Sequence, residues 1–272
     1  MMAKTTTQPK KRYSQALSEQ SSPYVRVLSV GHSKSGKTHF SLTFPNLVIA
    51  NTDAGLASDV EINCKIDPPV FNFVRWNENI GEDELWSWRD LHQLVLELKY
   101  RKGNMWDEIK SYGYVPETLV IDSGTGLSDI FSYEITLEEY HKDKSGKHME
   151  TFQLNDYNLL GQRFYTILDV VKTLPMHVIM TAELAEKQDD MDRRYQAPAM
   201  AGQALGLRLP HYFDEIYLHT KEVEKDNSLK FYLSQLPTRS FSMAGSRKGI
   251  PLDPVENPSF AKLSKYYVRK TK

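Results

Sequence analysis

Strand-like and helix-like patterns alternate along most of the chain. The run Tyr24-Val25-Arg26-Val27-Leu28-Ser29-Val30 is rich in β-branched residues and stops at Gly31, which predicts a buried strand. A helix is predicted from Lys37 towards Phe44, ended by Pro45. Leu47-Val48-Ile49-Ala50 predicts a second short strand, which runs into the turn Asn51-Thr52-Asp53-Ala54-Gly55. Val70 to Val74 predicts a third. Between Glu82 and Lys102, Leu85, Trp88, Leu91, Val95 and Leu98 recur at helical spacing with polar residues between them.

Further on, Thr118-Leu119-Val120-Ile121 predicts another buried strand, with Asp122 at its end. A helix follows from Leu127 to about Glu139, then a charged, glycine-containing loop from His141 to His148. Asp156 to Thr173 predicts a helix capped by Asn155 or Asp156, and Met176 to Met180 a strand. Glu186 to Pro198 is polar and unpatterned, which predicts a mobile loop. Asp214 to His219 and Leu229 to Leu233 flank Lys225-Asp226-Asn227-Ser228 and predict a hairpin. Strands alternating with helices predict an α/β fold: a mostly parallel sheet with helices on both faces and a late antiparallel hairpin. The Thr/Gln/Ser/Lys-rich stretch 1–22 predicts a flexible basic arm, 23–260 a single core, and 261–272 a basic tail.

Composition bounds the compartment more than the chemistry. The 272 residues suffice for one large domain, and 40% hydrophobic with 25% charged residues is ordinary for a globular protein. No run approaches the roughly 18 to 20 apolar residues that span a bilayer, and the N-terminus lacks the apolar segment of a secretory signal. The lone Cys64 excludes an intramolecular disulfide and argues against a zinc site. A cytoplasmic protein without membrane partners is expected. Net charge is −1, but lysines and arginines gather at both ends, leaving an acidic body. Such ends either hold nucleic-acid phosphates or simply solvate the termini.

The segment with the most specific chemistry is Gly31-His32-Ser33-Lys34-Ser35-Gly36-Lys37-Thr38. Glycines at both ends let the backbone curl so that its N–H groups face phosphate oxygens, and the helix that follows adds its positive end. Lys37 would reach the β- and γ-phosphates, and the Thr38 hydroxyl would ligate Mg²⁺. Asp122, leaving the carboxyl end of a buried strand, is the candidate Walker B acid on the same metal. Asp53 at the end of the second strand is a candidate for orienting the attacking water, or an ordinary turn residue; Glu183 is the other acid in reach. Charge developing on the γ-phosphate calls for a cation, and Arg247 in Gly245-Ser246-Arg247-Lys248-Gly249 is the preferred candidate.

Together these stretches resemble the RecA-like core ATPases encoded by phages, small nucleotide-binding proteins linked to single-strand annealing and recombination. The likeness rests on the P-loop with Thr38-His39-Phe40-Ser41-Leu42, on Phe44 to Ile49 leading into Asn51 to Gly55, and on Val120-Ile121-Asp122-Ser123. Asn155-Asp156-Tyr157 and Pro198-Ala199-Met200-Ala201-Gly202 complete it. The resemblance implies ATP and Mg²⁺ as cofactors and assembly into an oligomer or filament on single-stranded DNA. It gives Arg247 the role of reaching a neighbour's γ-phosphate. It makes 141–148 (Lys142, Lys144, Lys147) and 186–198 (Arg193, Arg194) the DNA-facing loops. A single-strand-binding protein or a nuclease would be a fitting partner. Two other readings stay open: a P-loop phosphotransferase acting on a small molecule, with Arg193 and Arg194 on a lid, and a motor or loader.

Overall fold

The computed structural model describes residues 23–52, 56–64, 67–73, 87–142, 152, 154–188, 191–250 and 253–267. The expected arm 1–22 and the acid Asp53 lie outside them, as do Lys144 and Lys147.

Among the described residues, one ten-stranded sheet organises the chain. In chain order its strands are first β1 (Arg26–Gly31), β2 (Leu47–Asn51), β3 (Val70–Asn72), β4 (Thr118–Asp122) and β5 (His177–Gln188). These are followed by β6 (Arg194–Pro198), β7 (Glu215–Val223), β8 (Leu229–Ser234), β9 (Gly245–Ser246) and β10 (Val255–Glu256). The order across the sheet is β10-β8-β7-β1-β5-β4-β2-β3, with β6 paired to β5 and β9 to β7. The pairs from β7 through β3 are parallel, whereas β5–β6, β7–β8, β7–β9 and β8–β10 are antiparallel. The expected α/β class and late hairpin are therefore present.

Alternation along the central strands splits the core into two layers. Val27, Ile49, Val120, Ile179 and Tyr217 face one side, where α1 (Lys37–Ser41), α2 (Leu56–Asn63) and α8 (Phe260–Tyr267) contribute Phe40, Val60 and Leu263. Leu28, Val30, Val48, Leu119, Ile121, Val178 and Met180 face the other. That side is covered by α3 (Trp88–Tyr100), α4 (Asn104–Ser111), α5 (Gly124–Lys142) and α6 (Leu154–Val171). Helix α3 starts where Ser87 accepts from the Arg89 and Asp90 amides while Asp90 accepts from the Ser87 amide, a reciprocal cap. A short α7 (Gln203–Arg208) and a 3₁₀ turn (Leu209–Tyr212) lead from β6 to β7.

Three expectations change. The segment 186–198 is not a loop: β5 runs on to Gln188 and returns as β6, with Leu184 opposite Pro198 and Gln188 opposite Arg194. Backbone pairing there is local to the hairpin, so it needs no apolar pattern to announce it. Residues 261–267 are not a tail but most of α8, which buries Leu263 and Tyr267 and donates the Phe260 amide to Thr43 Oγ1 at 2.8 Å. Residues 141–142 end helix α5 rather than open a loop.

Candidate functional site

Strand β1 delivers Gly31 to the carboxyl edge of the sheet, level with Glu183 on β5 and His219 on β7. A Cβ at Gly31 would come 2.5 Å from Ser35 Oγ and 2.6 Å from the His219 carbonyl oxygen, so the tight turn admits only glycine. Gly36 has φ +89°, and a Cβ there would meet the Phe231 ring at 2.9 Å. The loop between them wraps the Lys37 side chain, whose Nζ donates to the carbonyls of Gly31 at 2.9 Å and His32 at 2.8 Å. Helix α1 then begins at Lys37 and places Thr38 one residue on.

Thr38 and Asp122 meet directly, although one strand separates β1 from β4. Thr38 Oγ1 donates to Asp122 Oδ2 at 2.7 Å. The intervening strand β5 bridges the gap with Thr181, whose hydroxyl donates to the other carboxylate oxygen. Asp122 is 5% exposed, and Thr181 is fully buried. At the end of β2, Thr52 Oγ1 accepts from the Ser123 amide at 2.8 Å, so the loop after Asp122 is tied down. The Asp122–Ser123 peptide bond is cis.

A cavity of about 640 Å³ lies over the loop, lined by Ser33 to His39, Leu56, Asp59, Asp122, Lys221, Leu229 and Phe231. Its chemistry fits a nucleotide triphosphate with a divalent cation. The Ser35 hydroxyl is buried with no hydrogen-bond partner among the described residues, an orphaned donor inside the phosphate-binding turn. Lys37 brings an ammonium, and the hydroxyl–carboxylate pair of Thr38 and Asp122 is the oxygen set that a hard cation prefers. Behind the loop, burial and then the Lys37 charge press the His219 imidazole down to about 3, so it stays neutral under the cation.

The other candidates fall into separate places. Glu183 sits at the same edge, exposed, between β1 and the continuation of β5. Its amide donates to Thr125 Oγ1 at 3.0 Å and its carbonyl accepts from Ala199 at 2.8 Å. Arg194 is on β6, in an exposed ion pair with Glu186 at 3.3 Å, and Arg193 immediately precedes that strand. Lys142 closes α5. Arg247 is at the opposite edge: its amide donates to Asp214 and Glu215, and its guanidinium lies 3.6 Å from Asp214, which also holds Arg26. Arg26 to Gly31 of β1 covers about 17 Å, so Arg247 is remote from its own P-loop.

Four contributors had escaped notice in the sequence. Thr181 was a single polar residue inside an apolar run, a readable but weak sign. Thr52, Lys221 and Phe231 have no local signature, because only the folded sheet brings them to the loop.

The geometry is matched by family comparison. Residues 24–246 match the model of a family described as an AAA domain. The chain belongs to this family of AAA domains. No curated protein sequence matches it. Among solved structures, the AAA domain is similar to a KaiC-like protein from the hyperthermophilic archaeon Pyrococcus horikoshii. The two are 11% identical over 85% of this chain and 84% of that one, with a TM-score of 0.42. Membership of the AAA family makes this a P-loop ATPase domain, and Gly31 to Thr38 is the stretch with the glycine, lysine and threonine pattern of a P-loop. No helix among its described residues is long and apolar enough to cross a membrane.

Proposed function

We propose that the chain hydrolyses ATP in response to single-stranded DNA and promotes annealing or strand pairing. The observation that carries this reading is the course of β5. Thr181 on that strand holds Asp122, Glu183 two residues on stands beside Gly31, and the same strand continues into the hairpin bearing Arg193 and Arg194. A strand that joins the hairpin carrying Lys187, Arg193 and Arg194 to the acid Asp122 offers a short mechanical path between a polyanion and the nucleotide.

In this scheme Lys37 and Ser35 would hold the phosphates, and Thr38 and Asp122 would hold Mg²⁺, which would supply charge neutralisation on the phosphates. Glu183 orients the attacking water, a role Asp53 shares as the alternative acid. Arg193 and Arg194, with Lys142, Lys144 and Lys147, contact the DNA backbone, and the interaction weakens as salt rises. Arg247 lies too far from its own loop to act there, so its service is to the γ-phosphate of a neighbouring copy in an oligomer or filament. A single-strand-binding protein or a nuclease would supply or use the same strand. The lid that favoured a small-molecule phosphotransferase is replaced by a paired hairpin, so no observation favours that reading.

ATP turnover by the full chain, with and without single-stranded DNA at two salt concentrations, tests the proposal. Stimulation at low salt that fades at high salt is expected, with a Lys37→Ala protein inactive throughout. Turnover indifferent to DNA at low salt would remove the DNA reading and leave the ATPase domain standing.

A further inference from the structure

The β7–β8 hairpin stands over the P-loop, and phosphate chemistry does not explain what it presents there. Directly opposed residues of an antiparallel pair share a face, so His219 with Leu233, Lys221 with Phe231, and Val223 with Leu229 form one strip. The strip begins in the core, where His219 and Leu233 are each 1% exposed. It ends in solvent, with Leu229 48% and Val223 69% exposed. Midway, the Phe231 ring lies against Gly36. The Phe231 amide donates to Asn257 Oδ1 at 3.3 Å, and its carbonyl accepts from Asn257 at 2.6 Å, which fixes that part of the strand.

Phe231, Leu229 and Lys221 line the same cavity as the phosphate-binding loop. The metal-holding pair Thr38 and Asp122 lies on the β5 side of β1, and the hairpin lies on the β7 side. A triphosphate that puts its terminal phosphate at Thr38 and Asp122 therefore carries its other end towards β7. There it meets an aromatic ring and an exposed leucine, with Lys221 beside them.

We propose that Phe231 and Leu229 are the base-binding wall of the site, with the nucleobase stacked on the Phe231 ring and Lys221 at its rim. A π-face has no hydrogen-bonding edge, so the wall rewards a large base by area and does not tell adenine from guanine. This rests on the nucleotide site at Gly31 to Thr38, and the test separates the two. Dissociation constants are measured for ATP, GTP and inorganic tripolyphosphate, each with Mg²⁺, on the wild-type chain and on Phe231→Ala, Phe231→Leu and Phe231→Trp.

ATP and GTP are expected to bind the wild-type chain within about threefold of each other. In both Phe231→Ala and Phe231→Leu they weaken about tenfold, while tripolyphosphate changes less than about twofold. Phe231→Trp restores both nucleotides. An equal loss of tripolyphosphate in Phe231→Leu, which keeps an apolar contact on Gly36, would make the ring a prop for the loop and overturn the proposal. Unchanged ATP binding in Phe231→Ala would overturn it too. A wild-type chain that binds neither ATP nor tripolyphosphate overturns the nucleotide site and the wall with it.

Discussion

Strand β1 has two parallel neighbours, and they bring opposite chemistry to the loop it carries. On one side β5 places a buried hydroxyl, Thr181, against Asp122, then exposes Glu183, then continues into a hairpin with Arg193 and Arg194. On the other side β7 places a neutral His219, with no hydrogen-bond partner among the described residues, beneath Lys37, then continues into a hairpin whose inner strip is Phe231 and Leu229. Both strands outrun β1 at the same edge, since their pairing with it stops at Gly31. The β5 side is built from hydrogen-bonded polar groups, and the β7 side from apolar surface on a paired hairpin. On the proposals above, one sheet edge would separate reaction from retention.

Four outcomes would sharpen that division or break it. The largest effect belongs to Lys37, which both sides serve. Lys37→Ala should lower ATP turnover by about 10² to 10³-fold in a steady-state assay, with an unchanged circular dichroism spectrum. Turnover within threefold of wild type would mean the loop is not the reacting site.

Next comes the β5 side. Thr181→Val keeps the shape but removes the hydroxyl that donates to Asp122, leaving one carboxylate oxygen without that partner. A hydrogen bond to a charged group is worth about 1.5–3 kcal/mol, so turnover should fall about tenfold or more, with Mg²⁺ needed at higher concentration. Thr181→Ser should recover most of it. If the Mg²⁺ dependence does not move, Thr181 supports the fold and not the metal-holding acid.

A smaller change is expected on the core side of β7. The Tyr267 hydroxyl of α8 lies 3.3 Å from that of Tyr217, which in turn donates to the buried Glu215 at 2.9 Å. Tyr267→Phe should reduce unfolding free energy in urea by about 1 kcal/mol and leave turnover intact. A matching loss of activity would show that the docked C-terminal helix acts on the loop, which it reaches through Phe44 and Phe260 rings 4.7 Å apart.

The broadest effect is in pH, and each neighbour of β1 contributes one histidine. Burial, and then the charge of Lys248, lowers His177 at the start of β5 to about 4; its Nδ1 accepts the Val25 amide at 3.1 Å. His219 is lowered further. For both, the unfolded chain takes up a proton near 6.5 while the folded one resists, so stability is full above 6.5 and declines as pH falls towards 4. Urea midpoints at pH 7 and pH 4.5 should differ in that direction, and less so in a His177→Gln protein. Equal midpoints would show that these rings are not held neutral.

The sequence disclosed what depends on local spacing. The phosphate-binding loop needs glycines where a side chain would collide, and Gly31 and Gly36 advertise that need directly. Any buried strand can end in Asp, so Asp122 is legible because its apolar run follows a P-loop in the same chain. The β7–β8 hairpin announced itself through Asp226-Asn227, whose Asn227 takes φ +62°. Its position over the P-loop did not, because that follows from strand order. Hairpin β5–β6 was hidden for a different reason: with residues exposed on both faces, it has no hydrophobic period to detect. Helix α4 was missed because Trp106 and Ile109 are its only buried residues, too few to set a pattern. Helix α8 was obscured by its lysines, which mask the buried Leu263 and Tyr267. Arg247 stands out in the sequence by its charge, its glycine-flanked run past the hairpin and the family resemblance, and only the fold reveals that it sits at the far edge.

Titration of ATP by calorimetry, with and without Mg²⁺, against the wild-type chain, Lys37→Ala and Asp122→Asn tests most directly whether the loop and the acid form one site. The wild-type chain should bind more tightly with Mg²⁺, Lys37→Ala should lose binding under both conditions, and Asp122→Asn should lose only the Mg²⁺-dependent part. ATP affinity that is the same in all three proteins would contradict the account.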